Sequence, residues 1–315
     1  MCSTCGCGSD EAGREGGTQA HAHHHADGAP HAHDHAGEPT PLHEQRHEHG
    51  GHGLEAGPAP EHAHAPGLEP SRMLTIEQDI LAKNDGYAAQ NRSAFEARGL
   101  FALNLVSSPG AGKTALLVRT IGALGGRFDL SVIEGDQQTS QDAERIRAAG
   151  APAVQINTGK ACHLDAHMVA HAFSRLDPPR GAILMIENVG NLVCPAAFDL
   201  GEAHKVLVLS VTEGEDKPLK YPDMFRRASL LLLNKIDLLP YLEFDLERCL
   251  AYARRTNPDL AVIRLSALTG EGFPEWLEWL ERGAAGARAA ACKTAALPDA
   301  GERRPRAAIE GNPVR

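Results

Sequence analysis

Seven short apolar runs between residues 100 and 282 restrict what this chain can fold into more than any other feature. They cover residues 101–106, 130–133, 154–156, 182–186, 206–211, 230–233 and 261–265. Continuous apolar runs of this length, in place of strict alternation, mark strands buried on both faces. Helix-length stretches such as 113–124 and 142–149 lie between most of them. Strand and helix in turn predict an α/β fold, a mostly parallel sheet with helices on both faces. No internal repeat is visible.

The flanks read differently. Residues 1–70 hold Cys2, Cys5 and Cys7, then thirteen of the seventeen histidines between His21 and His64. His21, His23, His24, His25, His31, His33 and His35 form its densest part. With almost no large apolar side chains, this stretch cannot bury enough surface to offset chain entropy, so it reads as a disordered tail. Thiolates and imidazoles bind borderline and soft transition metals, so the same tail reads as metal-binding. Within residues 71–99, the segment 72–98 reads as an amphipathic helix with Leu74, Ile76, Ile80, Leu81 and Phe95 as its apolar positions. Asn84-Asp85-Gly86 predicts an interruption or bend in it. From residue 283 to 315 the chain is rich in Ala, Gly, Pro and Arg without a sustained apolar stripe, and reads as a second disordered tail.

Several classes are disfavoured at once. A formal net charge of -10 argues against broad nucleic-acid binding. No apolar run reaches the roughly 18 residues of a membrane span, so no membrane insertion is expected. The N-terminus lacks the basic-then-apolar order of a secretory signal, which predicts a cytoplasmic protein. Seven cysteines, unevenly spread at 2, 5, 7, 162, 194, 249 and 292, make no disulfide framework. In a reducing compartment, clustered thiols read as metal ligands.

Ser107-Ser108-Pro109-Gly110-Ala111-Gly112-Lys113-Thr114 leaves the first strand and opens a helix, the context of a phosphate-binding P-loop. Successive backbone N–H groups and a helix N-terminus make an anion site there, formed by Gly110, Ala111, Gly112, Lys113 and Thr114. Lys113 is expected on the β and γ phosphates, and the Thr114 hydroxyl on Mg²⁺. Ser107 stands where the usual motif has Gly. Downstream, the strand at 230–233 runs into Asn234-Lys235-Ile236-Asp237, and the last strand into Ser266-Ala267. A carboxylate at Asp237 can accept from guanine N1–H and the exocyclic amine, a pairing that adenine does not offer. Asn234 is expected to hold the loops, the Lys235 stem to lie along the base, and the Ser266-Ala267 backbone to face the guanine carbonyl.

Asp136 and Glu187 stand at the carboxyl ends of central strands, where open α/β sheets bind ligands, and are the leading candidates for Mg²⁺ or its water shell. Glu134 ranks behind them, and helix capping is the ordinary alternative for all three. No Gln occupies an evident water-positioning place, so slow hydrolysis is expected. Cys162, His163 and Cys194 make three ligands suited to Zn²⁺ or Ni²⁺, with Cys194 close to the loop after Glu187. Spacing alone leaves a structural reading open, because buried Cys is common. His167 and His171 continue from His163 at four-residue spacing and read as a solvated helix face. His204, Cys249 and Cys292 read as structural or incidental.

Taken together, these segments closely resemble the hydrogenase nickel-incorporation GTPases, the HypB family. The likeness covers roughly residues 73–279 and the extreme N-terminus. It is carried by the P-loop with its Ser107, by Glu134-Gly135-Asp136-Gln137-Gln138-Thr139-Ser140, and by Cys162-His163-Leu164-Asp165. It is also carried by Glu187-Asn188-Val189-Gly190-Asn191-Leu192-Val193-Cys194-Pro195 and by 212–222. The resemblance implies a P-loop NTPase fold of the SIMIBI type and a GTPase working with GTP/GDP and Mg²⁺. It implies a homodimer that delivers Ni²⁺ to [NiFe]-hydrogenase large-subunit precursors with a nickel-binding maturation partner. It implies metal at Cys162, His163 and Cys194, a tighter nickel site at Cys2, Cys5 and Cys7, and nickel storage on the His-rich stretch. Lys220, Leu238 and Leu242 would lie at the dimer interface. Of the rivals, a urease-accessory type of metallochaperone is disfavoured by the triple-Cys start and the separated Cys162-His163 and Cys194, and a P-loop small-molecule kinase by Asn-Lys-x-Asp; a nickel-storage protein, with the GTPase domain secondary, is the rival from another class.

Overall fold

The first strand, β1 (Phe101–Ser107), is buried along its whole length and organises everything around it. The structure, a computed structural model, describes residues 70–136, 141–159 and 161–296. Six further strands follow: β2 (Leu130–Asp136), β3 (Ala153–Asn157), β4 (Ile183–Glu187), β5 (His204–Ser210), β6 (Leu230–Asn234) and β7 (Ala261–Arg264). They form one seven-stranded sheet in the order β3-β2-β4-β1-β5-β6-β7. Every pairing is parallel, as the continuous apolar runs require. After β1 the chain builds one side of the sheet, then returns past β1 to build the other. Ligand crevices in open α/β sheets form at such a reversal, at the carboxyl ends of the strands.

Alternate residues of β1 feed two layers. Leu103 and Leu105 pack with α2 (Lys113–Leu124) and α9 (Phe273–Ala296) on one face. On the other face Ala102 joins α1 (Pro70–Ala97) and α4 (Ala166–Leu176), while Val106 joins α7 (Pro222–Arg227) and α8 (Leu246–Thr256). Helices therefore cover both faces of a parallel sheet, as the sequence predicts.

Two expectations need correction. The first is the bend in α1: the helix runs unbroken through Asn84-Asp85-Gly86. Asn84 turns its polar side chain onto the body of the protein, donating to Asp199 O (2.8 Å) and accepting from Ala166 N (2.9 Å). Asn91 adds bonds to Ala166 O and Leu200 O. Buried amides thus dock much of α1 where an apolar stripe was expected. Of the proposed apolar positions, Phe95 is buried, while Leu74, Ile76 and Ile80 stay 56%, 41% and 52% exposed.

The second correction concerns residue 283, where structure was expected to end. Helix α9 continues to Ala296. Its small residues are what let it lie against the sheet. Gly283 leaves no room for a Cβ beside the Phe101 ring, and Ala284 is fully buried. Arg288 then closes the edge, donating to Gly181 O at 2.8 Å and stacking over Phe128. Residues 297–315, like 1–69, lie outside the described residues, so the readings of Cys2, Cys5, Cys7 and the tail histidines fall there too.

Candidate functional site

The crevice begins where β1 gives way to α2. Gly110 and Gly112 take positive φ of 74° and 99°, a left-handed backbone that L side chains adopt at a cost. At Gly112 an added Cβ would also stand 2.6 Å from Asn234 Nδ2. Lys113 opens α2 and is almost buried; its ammonium donates to Ser107 Oγ at 2.7 Å, and Ser107 Oγ in turn donates to Ser108 O. Ser107, the departure from the common motif, therefore seats the loop lysine. Burial lowers the Lys113 pKa, and the Glu187 charge acts against that fall.

Carboxylates from two neighbouring strands face this lysine. Glu187 ends β4 beside Leu105 of β1, and Glu134 of β2 sits in register with Glu187. Thr114 Oγ1 donates to Glu187 Oε1 at 2.8 Å. Both glutamates are buried, and the Oε2 atom of each has no hydrogen-bond partner. Burial pushes Glu134 up to about 8, with the Glu187 and Asp136 charges adding to it. Burial likewise pushes Glu187 up to about 7, against the pull of Lys113 and the Thr114 hydroxyl. Asp136, at the end of β2, lines the same cavity of about 450 Å³ but is less enclosed than Glu134. The ranking of Asp136 above Glu134 is thus not supported by burial. Asp142 and Arg145, on α3 (Gln141–Ala148), also line it. Sequence reasoning did not single them out; their one signal was a charged first turn six residues past Asp136. Buried, unpartnered carboxylate oxygens beside a hydroxyl form a set of hard donors that suits a divalent cation preferring oxygen.

Across the crevice, Asn234 joins the loops, as expected. Its Nδ2 donates to Ala111 O (2.9 Å), and its Oδ1 accepts from Ala267 N (3.0 Å). Lys235 takes a left-handed φ of 63° and donates to Gly110 O at 2.7 Å. Asp237 is half-buried in the following 3-10 segment, Ile236–Tyr241. Ser266 is buried, and its Oγ accepts from Thr269 N. Arg119, missed in the sequence, forks from α2 onto the carbonyls of Ala267, Leu268 and Thr269. Nothing local in the sequence marks it, because its partners lie about 150 residues away.

The thiols and imidazole also meet. Cys162 and His163 follow β3, and Cys194 opens the short helix α5 (Cys194–Ala197). Among the described residues these are the only metal-type cluster, with their ligand atoms all within 4.8 Å of one another. Burial lowers the His163 pKa, which favours the neutral imidazole a metal requires. The Phe198 ring packs on it, centroids 4.0 Å apart. His167 and His171 stay outside the cluster, exposed, with their Nε2 atoms 3.1 Å apart. His204 packs against Phe101 and Trp279 and bonds Ser229. Cys249 is fully buried and pushed up to about 12, an inert thiol.

Fold and site together define a P-loop NTPase-type protein on an all-parallel sheet, with a cluster of two cysteines and a histidine beside the crevice. A family model described as "CobW/HypB/UreG, nucleotide-binding domain" matches residues 101–264. The hydrogenase maturation factor HypB of Azotobacter vinelandii is 65% identical over 282 residues, covering 90% of this chain and 92% of its own. The crystal structure of hydrogenase maturation factor HypB from Archaeoglobus fulgidus is 41% identical, with a TM-score of 0.61 over 64% of this chain and 99% of that one. HypB from Helicobacter pylori, solved in complex with nickel, is 37% identical, with the same TM-score over 65% and 96%. The chain belongs to the HypB family of hydrogenase maturation factors. Among the described residues, no helix is long and apolar enough to cross a membrane.

Proposed function

We propose that this protein is a GTP-hydrolysing nickel metallochaperone that delivers Ni²⁺ to [NiFe]-hydrogenase precursors. One observation carries the reading: Glu187, bonded to the P-loop Thr114, and Cys194 of the metal cluster stand seven residues apart on one connection. A single loop thus touches both the nucleotide crevice and the cargo site.

In this reading Lys113 and the amides of Gly110, Ala111, Gly112 and Thr114 hold the phosphates. Thr114, Glu187 and either Asp136 or Glu134 would hold Mg²⁺, which would supply positive charge against the phosphates. Deprotonation of the buried carboxylates accompanies cation binding. Asp237 selects guanine, and Asn234, Lys235, Ser266 and Ala267 shape its pocket. Lys113 and the loop amides stabilise charge on the transferring group, an electrostatic role. Turnover in this reading is slow until a partner or dimerisation aligns the attacking water.

Cys162, His163 and Cys194 bind Ni²⁺ or Zn²⁺ as cargo. Cys2, Cys5 and Cys7 form a separate nickel site, and the histidines from His21 to His64 a reservoir. The protein works in the cytoplasm as a homodimer, with a nickel-binding maturation partner and the hydrogenase large-subunit precursor. Leu242, 39% exposed, and the half-buried Leu238 are candidates for the dimer contact. Lys220, which pairs with Asp216 at 2.6 Å within the chain, would exchange that partner across it.

Hydrolysis of GTP and ATP, each with and without Mg²⁺, tests the enzymatic half. Magnesium-dependent release of phosphate from GTP alone is expected; equal rates for ATP would refute the guanine assignment. The density of histidines between His21 and His64 favours storage as a second role. Deleting residues 9–70 tests it: nickel tolerance falls while maturation survives in excess nickel. Loss of maturation even in excess nickel would overturn the reservoir reading.

A further inference from the structure

A chain of buried side-chain hydrogen bonds leads away from Glu187 to both halves of the metal cluster. Asn188 follows Glu187 directly and is 1% exposed. Its Oδ1 accepts from Leu164 N at 3.0 Å, the amide next after His163. Its Nδ2 donates to Asn104 Oδ1 on β1 at 3.2 Å. Asn104, also fully buried, donates from Nδ2 to Glu202 Oε1 at 3.0 Å. The other Glu202 oxygen accepts from Leu200 N, and Lys205 Nζ lies 3.8 Å from Oε1.

Lys205 completes the path. Its ammonium donates to the carbonyls of Pro195 (2.9 Å), Ala196 (3.3 Å) and Phe198 (2.9 Å). The first two belong to the short helix that Cys194 opens, and the third to Phe198, the residue whose ring packs on His163. One arm thus ends beside His163 and the other just past Cys194. Asn191 ties the two loops together, donating to Cys162 O at 3.3 Å.

We propose that Asn188, Asn104, Glu202 and Lys205 form a buried polar strut that couples the position of Glu187 in the nucleotide crevice to the spacing of the cluster. These are positioning residues; among the bonds described, none of their side chains touches a cluster ligand atom. The physical reason lies in what they bond. A backbone amide and three backbone carbonyls are gripped by side chains with every donor and acceptor fixed in direction. All four side chains are buried and bonded to protein groups, so moving one member strains or breaks the next bond. When Glu187 shifts on gaining or losing a cation and nucleotide, Asn188 shifts with it through the shared backbone. The pull then reaches Leu164 directly, and the Cys194 helix through Asn104, Glu202 and Lys205. A cluster whose ligands must meet within 4.8 Å is sensitive to such shifts.

The inference rests on the reading that Cys162, His163 and Cys194 bind nickel, and the test separates the two. The full chain carries Cys2→Ser, Cys5→Ser and Cys7→Ser, so the thiolate-to-nickel absorption band reports Cys162 and Cys194. Nickel affinity is measured through that band with GDP and with a non-hydrolysable GTP analogue, giving a ratio. Asn104→Leu cuts the strut at its middle while keeping the branched shape of the side chain. Asn104→Ser, which leaves space for a water, guards against a folding failure. A ratio different from one is expected before the strut is cut, and both variants should bring it nearer one by about 2- to 30-fold. A merely structural role would lower melting temperature and weaken nickel equally in both nucleotide states, leaving the ratio unchanged. An unchanged ratio with the band intact overturns the strut, as does a ratio of one before it is cut. Absence of the band altogether refutes the nickel reading itself, and the strut with it.

Discussion

Replacing Glu187 by Gln should make the nucleotide-free, metal-free protein more stable while disabling it. Glu187 is 4% exposed, and its pKa rises from 4.5 to about 7 on folding. The folded state therefore binds its proton more tightly than the unfolded state. Stability from that source is full below 4.5 and is lost as pH rises through 7. At pH 8 the loss amounts to about 3 kcal/mol, and at pH 5 to under about 1 kcal/mol. Glutamine does not titrate and so avoids the loss. Lys113 loses a counter-charge in exchange, which offsets part of the gain, while Glu134 is relieved of a like-charged neighbour. The net gain at pH 8 is about 1–3 kcal/mol, and each kcal/mol raises the melting temperature of a domain this size by roughly 2–4 °C. Thermal unfolding in chelator at pH 5 and pH 8 measures it, beside magnesium-dependent GTP hydrolysis, which the variant should lose. A melting-temperature difference that is the same at both pH values would refute the reasoning, as would a variant that melts lower at pH 8.

Asp237→Asn should shift preference from GTP toward xanthosine triphosphate; unchanged GTP affinity in a binding titration would remove Asp237 from the base pocket. Gly112→Ala forces an L side chain into φ 99° and against Asn234, so guanine-nucleotide affinity should fall by about 2–4 kcal/mol, read by titration with fluorescent GDP. Magnesium affinity should rise with pH between 6 and about 8, because Glu187, and Glu134 where it is the further ligand, must shed protons to bind it; a flat profile would place the cation elsewhere. Gly283→Ala presses a methyl into the Phe101 ring and should cost about 1–3 kcal/mol in denaturant unfolding. No change there would mean that α9 does not pack on the sheet as described.

How legible each part of the molecule is depends on how local its signal is. The P-loop and the Asn234–Asp237 turn are written in consecutive residues at strand ends, so their strand–loop–helix context can be read directly along the chain. Strands show themselves because central parallel strands are apolar on both faces. The metal cluster is different. Cys162 and Cys194 lie on separate loops, brought together because β4 lies next to β2, and β2 next to β3. Residue types and placement suggest the set but leave a structural reading open, and the family resemblance is what favours a shared site. Helix α1 misleads because buried Asn84 and Asn91 do the docking, and polar residues inside an exposed-looking helix read as a break. Helix α9 misleads because alanine and glycine, the residues that permit close approach to Phe101, look like the composition of a loose tail. Arg119 and Lys205 escape for a third reason: each bonds backbone carbonyls, whose positions no residue type announces.

The amide of Asn234 has a consequence for how such a protein can change over generations. One end of that side chain holds Ala111 in the phosphate loop, and the other holds Ala267 in the loop proposed to face the base. Under the proposed function, drift at position 234 would degrade grip on the phosphates and choice of base in the same step. Position 237 carries no such double duty among the described hydrogen bonds. A lineage switching to another purine would have its open route there, with Asn234 left as the fixed joint around which both pockets are inherited.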